Sequence, residues 1–199
     1  MARKIGSHSE VTGPKIRQAA LELFARHGFA AVTMRQIGGT VGVQAGAIYN
    51  YTSDKQALLF DLLDGHMADL LTKWSVELVP MDPIAALDHF VAFHLDFHIK
   101  RPELVFISYM ELRNLTELNF KAIVEKRRIY EKIIHNLILN GVVSGDFSVP
   151  DPKITSLALI ALLTGPVDWF RKDGRLTSDE LTRHYCALTR QALGVSVPA

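Results

Sequence analysis

The sequence predicts an all-α protein, and three observations predict it. Apolar residues recur at i, i+3, i+4 and i+7 along most of the 199 residues, the spacing that lines one face of a helix. No convincing stretch alternates apolar and polar residues with period two, as a half-buried strand would. Capping residues and Gly or Pro breakers stand at the ends of the periodic runs. The expected architecture has a three-helix unit over residues 1–55, with a flexible arm at 1–12, and a larger helical domain over 56–199. It should contain about nine helices.

From Pro14 to His27 the apolar stripe is Ile16, Ala19, Ala20, Leu23 and Phe24, and Gly28 ends it. Thr33 and Gln36 have the spacing of a capping box, followed by Met34, Ile37 and Val41 on one face; Gly42 stops this helix with a positive φ. A short helix begins at about Gln44. After Ser53 or Asp54 a longer one runs to about Leu78, with Leu58, Leu59, Leu62, Leu63, Met67, Leu70 and Leu71 as its stripe. Pro80-Met81-Asp82-Pro83 breaks the chain. Helices are then expected from Pro83 to about Lys100, from Pro102 to about Asn114 and from Thr116 to Asn140, the last closed by Gly141 and the turn Ser144-Gly145-Asp146. Asp151-Pro152 opens another, interrupted at Gly165-Pro166. The last starts at Thr177, with Glu180 completing a second capping box, and ends near Gly194.

The stretch from Thr33 to Leu58 carries the chemistry. Two short helices on a tight turn, the second opening with Ala45, Gly46 and Ala47, suit a helix end that presses into the major groove, where bulky side chains would hold the backbone off the base edges. Gln44, Ala45, Gly46 and Asn50 are the candidate groove residues. Thr33, Arg35, Tyr49, Tyr51 and Lys55 are candidates for the phosphates, the tyrosines through their hydroxyls and Lys55 because it lies in the first turn of the next helix. Charge supports this reading: residues 1–55 hold seven Lys or Arg against three Asp or Glu, although the whole chain is only +1.

Gly28, Thr33, Ile37, Gly42-Val43, Gly46, Ile48-Tyr49, Tyr51, Lys55 and Leu58 resemble the N-terminal pattern of the tetracycline-repressor family of bacterial regulators, over roughly residues 14 to 62. Gly38 and Gly39 stand where that pattern favours helix formers, and Thr52 where it has an aromatic. The resemblance implies a homodimer paired through its last two helices, a double-stranded palindromic operator and a small-molecule effector. An excess of apolar residues on those two helices independently implies a partner.

For the effector, the helices between Ile84 and Asn114 supply Phe93, His94, Phe97, Phe106, Tyr109, Met110 and Arg113, and Trp169 follows later; aromatics with a few polar groups are what a hydrophobic ligand needs, and also what plain core looks like. His94 and His98 stand at i and i+4, but no third ligand has matching spacing, so no metal and no cofactor is expected. YMELRNL at 109–115, Lys126-Arg127-Arg128 and DWFRKDGRLTSDEL at 168–181 are similar to the subgroup of that family controlling fatty-acid and steroid-side-chain degradation, which implies an acyl-coenzyme A effector. Two other readings stay open: a drug-like effector, and a DNA binder without one.

An enzyme is not expected. Cys186, the only cysteine, has no histidine placed by a motif, and no glycine-rich phosphate loop follows a strand. The single cysteine, the lack of a secretory signal and the shortness of the run Ile154–Val167 against a bilayer core of about 30 Å point to the cytoplasm and to no membrane partner.

Overall fold

The computed structural model describes the backbone of residues 6–76 and 81–195 and the side chains of 11–75 and 81–195. The regular structure among them is helical, as expected: α1 Gly6–His27, α2 Met34–Val41, α3 Ala45–Ile48, α4 Lys55–Val76, α5 Pro83–Ile99, α6 Pro102–Met110, a 3-10 turn Leu112–Asn114, α7 Glu117–Ser144, α8 Pro152–Thr164, α9 Pro166–Trp169 and α10 Ser178–Ala192. Arg3 and Lys4 of the expected arm, Pro80 of the expected break and Leu78 as the end of α4 lie outside the described residues. The chain forms two compact units that interleave in sequence: the chain to Asp69 with Glu103–Val124, and Leu70–Pro102 with Glu125 onward.

In the first unit α1 packs on α2, and α2 on α3. Ile16, Ala19, Ala20 and Phe24 of α1, Ile37 of α2, Ile48 of α3 and Leu58, Leu59 and Leu63 of α4 form its core. The expected arm at 1–12 is corrected from Gly6 onward, where the chain is already helical. Pro14 removes one backbone donor from α1 without ending it. Thr52, at the position expected to be aromatic, is buried and donates its hydroxyl to the Asp54 carbonyl at 3.1 Å. Asp54 then caps α4 by accepting from the Ala57 amide at 2.8 Å.

In the second unit α5 packs against α8, α9 and α10 and is apolar nearly all round: Leu87, Phe90, Val91, Phe93, Leu95 and Phe97 are buried. Arg190 of α10 grips Asp88 of α5 through one guanidinium edge, Nε donating to Oδ1 at 2.9 Å and Nη2 to Oδ2. Asp82 and Asp151 cap α5 and α8, and Thr177 and Glu180 form the expected capping box on α10. Two helix ends differ from expectation. Gly141 does not close α7: the Phe147 ring lies against its bare Cα, the helix runs on to Ser144, and Gly145 (φ 84°) makes the turn. Likewise α6 stops at Met110, and residues to Asn114 tighten into the 3-10 turn. No helix among the described residues is long and apolar enough to cross a membrane.

Candidate nucleic-acid interface and effector region

The geometry of α2 and α3 is set by local chemistry and one close approach. The Thr33 hydroxyl accepts from the Gln36 amide at 3.2 Å, while the Thr33 amide and hydroxyl both donate to Gln36 Oε1 at 2.8 Å. Gly42 (φ 74°) turns the chain, and the Val43 amide donates back to the Gly38 carbonyl at 2.9 Å. At Gly38 the two helices nearly touch: a Cβ there would lie 2.7 Å from the Val43 oxygen. Ile48, fully buried, anchors the inner side of α3.

The outer side is free. Gln44 starts α3 with no side-chain cap bond, and Gln44, Gly46, Asn50 and Arg35 are exposed. Tyr49 is 55% exposed, and Ala45 and Tyr51 are half-buried. Gln44, Ala45, Gly46, Tyr49 and Asn50 lie on or beside α3, Tyr51 follows it, and Arg35 lies on α2. Thr33 and Lys55 are differently placed. Both donors of Thr33 are used by Gln36. Lys55 turns inward, its Nζ donating to the Phe29 and Val32 carbonyls at 2.7 Å each and to that of Ala30 at 3.5 Å, 4.3 Å above the centre of the Phe29 ring. In this structure the Lys55 ammonium, expected to meet a phosphate, is instead held by three carbonyls. Glu111, which the sequence presents only within the run YMELRNL, has a contact that sequence reasoning missed: its Oε1 accepts from the Phe29 amide at 3.1 Å across 82 residues of chain.

In the second unit the expected effector residues Phe93, His94 and Phe97 meet in a closed aromatic cluster. Trp74 sets its edge against Phe90 and Phe93 with centroids 5.3 and 5.2 Å apart, Phe97 stacks on Phe93, and the Arg101 guanidinium lies 3.9 Å above Phe97. A polar chain threads it. The Thr164 hydroxyl donates to the Ile160 carbonyl, so His94 Nε2 carries the proton and donates to Thr164 at 3.2 Å. His94 Nδ1 then accepts from the Tyr130 hydroxyl at 3.0 Å. His98 Nδ1 donates to the His94 carbonyl at 2.8 Å. Burial, reinforced by His98, holds His94 well below the usual histidine range. Burial likewise lowers His98 to about 4. With both His94 nitrogens in hydrogen bonds, the pair is packed as neutral imidazole.

Phe106, Tyr109, Met110 and Arg113 belong to the first unit, where all four are exposed. Trp169 is half-exposed and, with Phe170, Arg171, Arg175 and Leu176, lines a cavity of about 260 Å³. A cleft of about 390 Å³ opens beside α5 and α10, with Leu95 and Ile99 as apolar lining and Lys100, Lys172 and Arg183 around it. Cys186 is held protonated: burial, then Asp88, pushes its thiol up to about 11, so it offers no nucleophile near neutral pH.

Two family models match the chain. Residues 16–62 match the model of bacterial regulatory proteins of the tetR family, and residues 80–193 the tetracyclin repressor-like C-terminal domain. The HTH-type transcriptional repressor KstR2 of Rhodococcus jostii is 25% identical over 178 residues, 87% of either chain. A bacterial regulatory protein in the tetR family from Rhodococcus RHA1 has a TM-score of 0.87 at 24% identity, covering 94% of this chain and 99% of that one. AibR, solved in complex with isovaleryl coenzyme A and operator DNA, has a TM-score of 0.80 at 19% identity, covering 88% and 96%.

Proposed function

The chain belongs to the tetR family of bacterial regulatory proteins, and on that premise we propose that it is a cytoplasmic repressor released from a palindromic operator by an acyl-coenzyme A thioester. The observation that carries the DNA half is the exposed end of α3, where Gln44, Gly46, Tyr49 and Asn50 stand free on a helix whose inner side is locked by Ile48 and Gly38. Gln44 and Asn50 read base edges; Tyr49, Tyr51 and Arg35 meet phosphates.

A two-fold dimer gives the operator its symmetry and sets the reader helices about 34–36 Å apart, or somewhat farther on a longer site. α8 supports it. Ile154 (65% exposed), Leu157 (44%), Ala158, Ala161 and Leu162 follow one another at i, i+3, i+4, i+7 and i+8 and stand in solvent. His184, Ala187, Leu188 and Gln191 make a similar stripe on α10. A four-helix contact with the mate covers both.

The thioester reading rests on chemistry and on relatives. Trp169 offers a face to an adenine base, and Arg171 and Arg175 in the same cavity suit phosphates. A protein of this fold holds isovaleryl coenzyme A, and KstR2 is a repressor. The acyl chain is accommodated by parting the Phe93, His94 and Phe97 cluster. Effector then favours a state whose readers no longer match the operator, and its differential affinity for the two states sets the loss of DNA affinity.

Selection of random duplexes on the purified protein, followed by anisotropy titrations, tests both halves. Enrichment of a palindrome, and its release by acyl-coenzyme A but not by free coenzyme A or the free acid, is expected. No enriched sequence would overturn the repressor; a complex indifferent to every thioester would overturn the effector class.

A further inference from the structure

We infer that Glu111 is a positioning residue of the DNA reader: from outside the helix-turn-helix, its carboxylate fixes the peptide at which α1 hands over to α2. The inference rests on the reading of α2 and α3 as the reader. The matched helix-turn-helix region ends at residue 62, and Glu111 lies far beyond it in sequence, on the turn after α6.

The link between the helices is short. Gly28 (φ 80°) ends α1, and Thr33 already caps α2. Phe29, between them, is held on every polar side. Its amide goes to Glu111, its carbonyl and ring to Lys55, and its ring centre lies 5.3 Å from that of Phe24. Glu111 is itself only 7% exposed, and a carboxylate removed from water needs partners to keep its charge. Oε2 finds one in Asn114 Nδ2 at 2.5 Å. Gln56 Nε2 donates to the Asn114 carbonyl, and Gln56 Oε1 accepts from the Thr116 amide at 3.3 Å. Gln56 follows Lys55 in α4, so the bonds close a circuit from Phe29 through Glu111, Asn114, Gln56 and Lys55 back to Phe29.

A closed circuit of this kind has one arrangement that satisfies all its members. Moving Glu111 strands the Phe29 amide or shifts the link, and the link carries Thr33 and the whole of α2. α2 in turn sets α3 through the contact of Gly38 with Val43. The segment Glu103–Val124 that supplies Glu111 continues at both ends into the other compact unit. Displacements arriving along this segment therefore reach the reader through the Glu111–Phe29 hydrogen bond, beside the direct route along α4.

Hydrogen exchange on the full-length protein tests the placement. Glu111→Leu, which removes both acceptor oxygens, should raise exchange across residues 28–33 about tenfold, while residues 84–99 keep their protection. Glu111→Gln retains an acceptor for the Phe29 amide and should restore most of it. A rescue of that kind distinguishes the bond from mere filling of space. Asn114→Ala, a milder change should Glu111→Leu fail to fold, should raise exchange about threefold in the same segment. On the selected palindrome, Glu111→Leu should bind about tenfold more weakly with the salt slope unchanged, since no phosphate contact is lost. Unaltered exchange at 28–33 in both the Leu and Ala variants overturns the inference, as does equal failure of Gln and Leu. If the wild-type protein selects no palindrome, the proposed function fails, and the exchange results still decide whether Glu111 holds the link.

Discussion

Gly38 and Gly39 are adjacent glycines on a single helix, and the structure assigns opposite signs to their replacement by alanine. Helix propensity alone favours both changes by about 1 kcal/mol. At Gly39 nothing lies within 4 Å of the added carbon, so that gain is unopposed. At Gly38 the new Cβ would stand 2.7 Å from the Val43 oxygen, 3.2 Å from Ile48 Cδ1 and 3.4 Å from the Ala45 nitrogen. Two of these neighbours are backbone, and relief requires α3 to move away by about 0.5 Å, while the Val43 amide is tied to the Gly38 carbonyl at 2.9 Å. Overpacking of this kind costs roughly 1–3 kcal/mol, which outweighs the propensity gain. Gly38→Ala is therefore expected to destabilise the first unit by about 1 kcal/mol and Gly39→Ala to stabilise it by a similar amount. Thermal melts should separate the two variants by about 4–8 °C, at roughly 2–4 °C per kcal/mol for a chain of this size. Gly38→Ala should also lose operator affinity, because α3 is displaced, whereas Gly39→Ala should keep it. A Gly38→Ala protein as stable as Gly39→Ala, and as tight on DNA, would refute the close-approach reasoning.

Three further outcomes follow from packing and charge. His94 and His98 are neutral when folded but take up protons near pH 6.5 when unfolded, so their contribution is complete above that value and is lost as pH falls toward about 4 for His98, at up to about 1.4 kcal/mol per pH unit for each. Urea midpoints should thus drop between pH 7.5 and 5, less so in His98→Gln; an unchanged drop in that variant argues against the linkage. Leu157→Glu, in the exposed stripe of α8, should yield a monomer in sedimentation velocity where the wild-type chain forms the proposed dimer, while leaving the helix content intact. Gly141→Ala would drive a methyl into the Phe147 ring and should cost roughly 1–3 kcal/mol in urea unfolding, although α7 is helical there and propensity favours alanine.

What the sequence makes legible here is what acts over a few residues. Thr33 with Gln36, Thr177 with Glu180, the aspartate caps of α5 and α8, and the positive φ of Gly42 all depend on neighbours within one turn, and each stands where spacing places it. Gly141 shows the limit of that reasoning, for a glycine reads as a stop until the Phe147 ring that needs its bare Cα is in view. The residues expected to meet the effector are harder still. Phe93, His94 and Phe97 lie together, but Phe106, Tyr109, Met110 and Arg113 share their helical spacing and cluster with the other unit, because periodicity ranks faces of a helix and says nothing of what each face meets. Glu111 gave no local signal of this role. In the sequence it reads as one polar residue of the run YMELRNL, and its partner amide lies 82 residues away.

Lys55 admits two physical accounts of one position, and salt dependence separates them. A lysine that meets a phosphate contributes a released counterion, so its removal lowers the salt slope by about 1 and weakens binding to every duplex alike. A lysine that holds carbonyls leaves the slope alone. The structure gives Lys55 three carbonyls and an aromatic face, and the charged hydrogen bonds among these are worth about 1.5–3 kcal/mol in stability. Lys55→Met, which keeps the length of the stem, is therefore expected to lower the urea midpoint and to weaken operator binding through the misplaced link at Phe29, with the slope of log affinity against log salt unchanged. A slope reduced by one with stability intact would mean that the ammonium leaves its carbonyls for the DNA. Since α3 has only four residues and no side-chain cap of its own, the reader draws its placement from Gly38, Glu111 and Lys55 around it. On that account a loss of specific affinity without a loss of phosphate contacts is the common signature of all three positions.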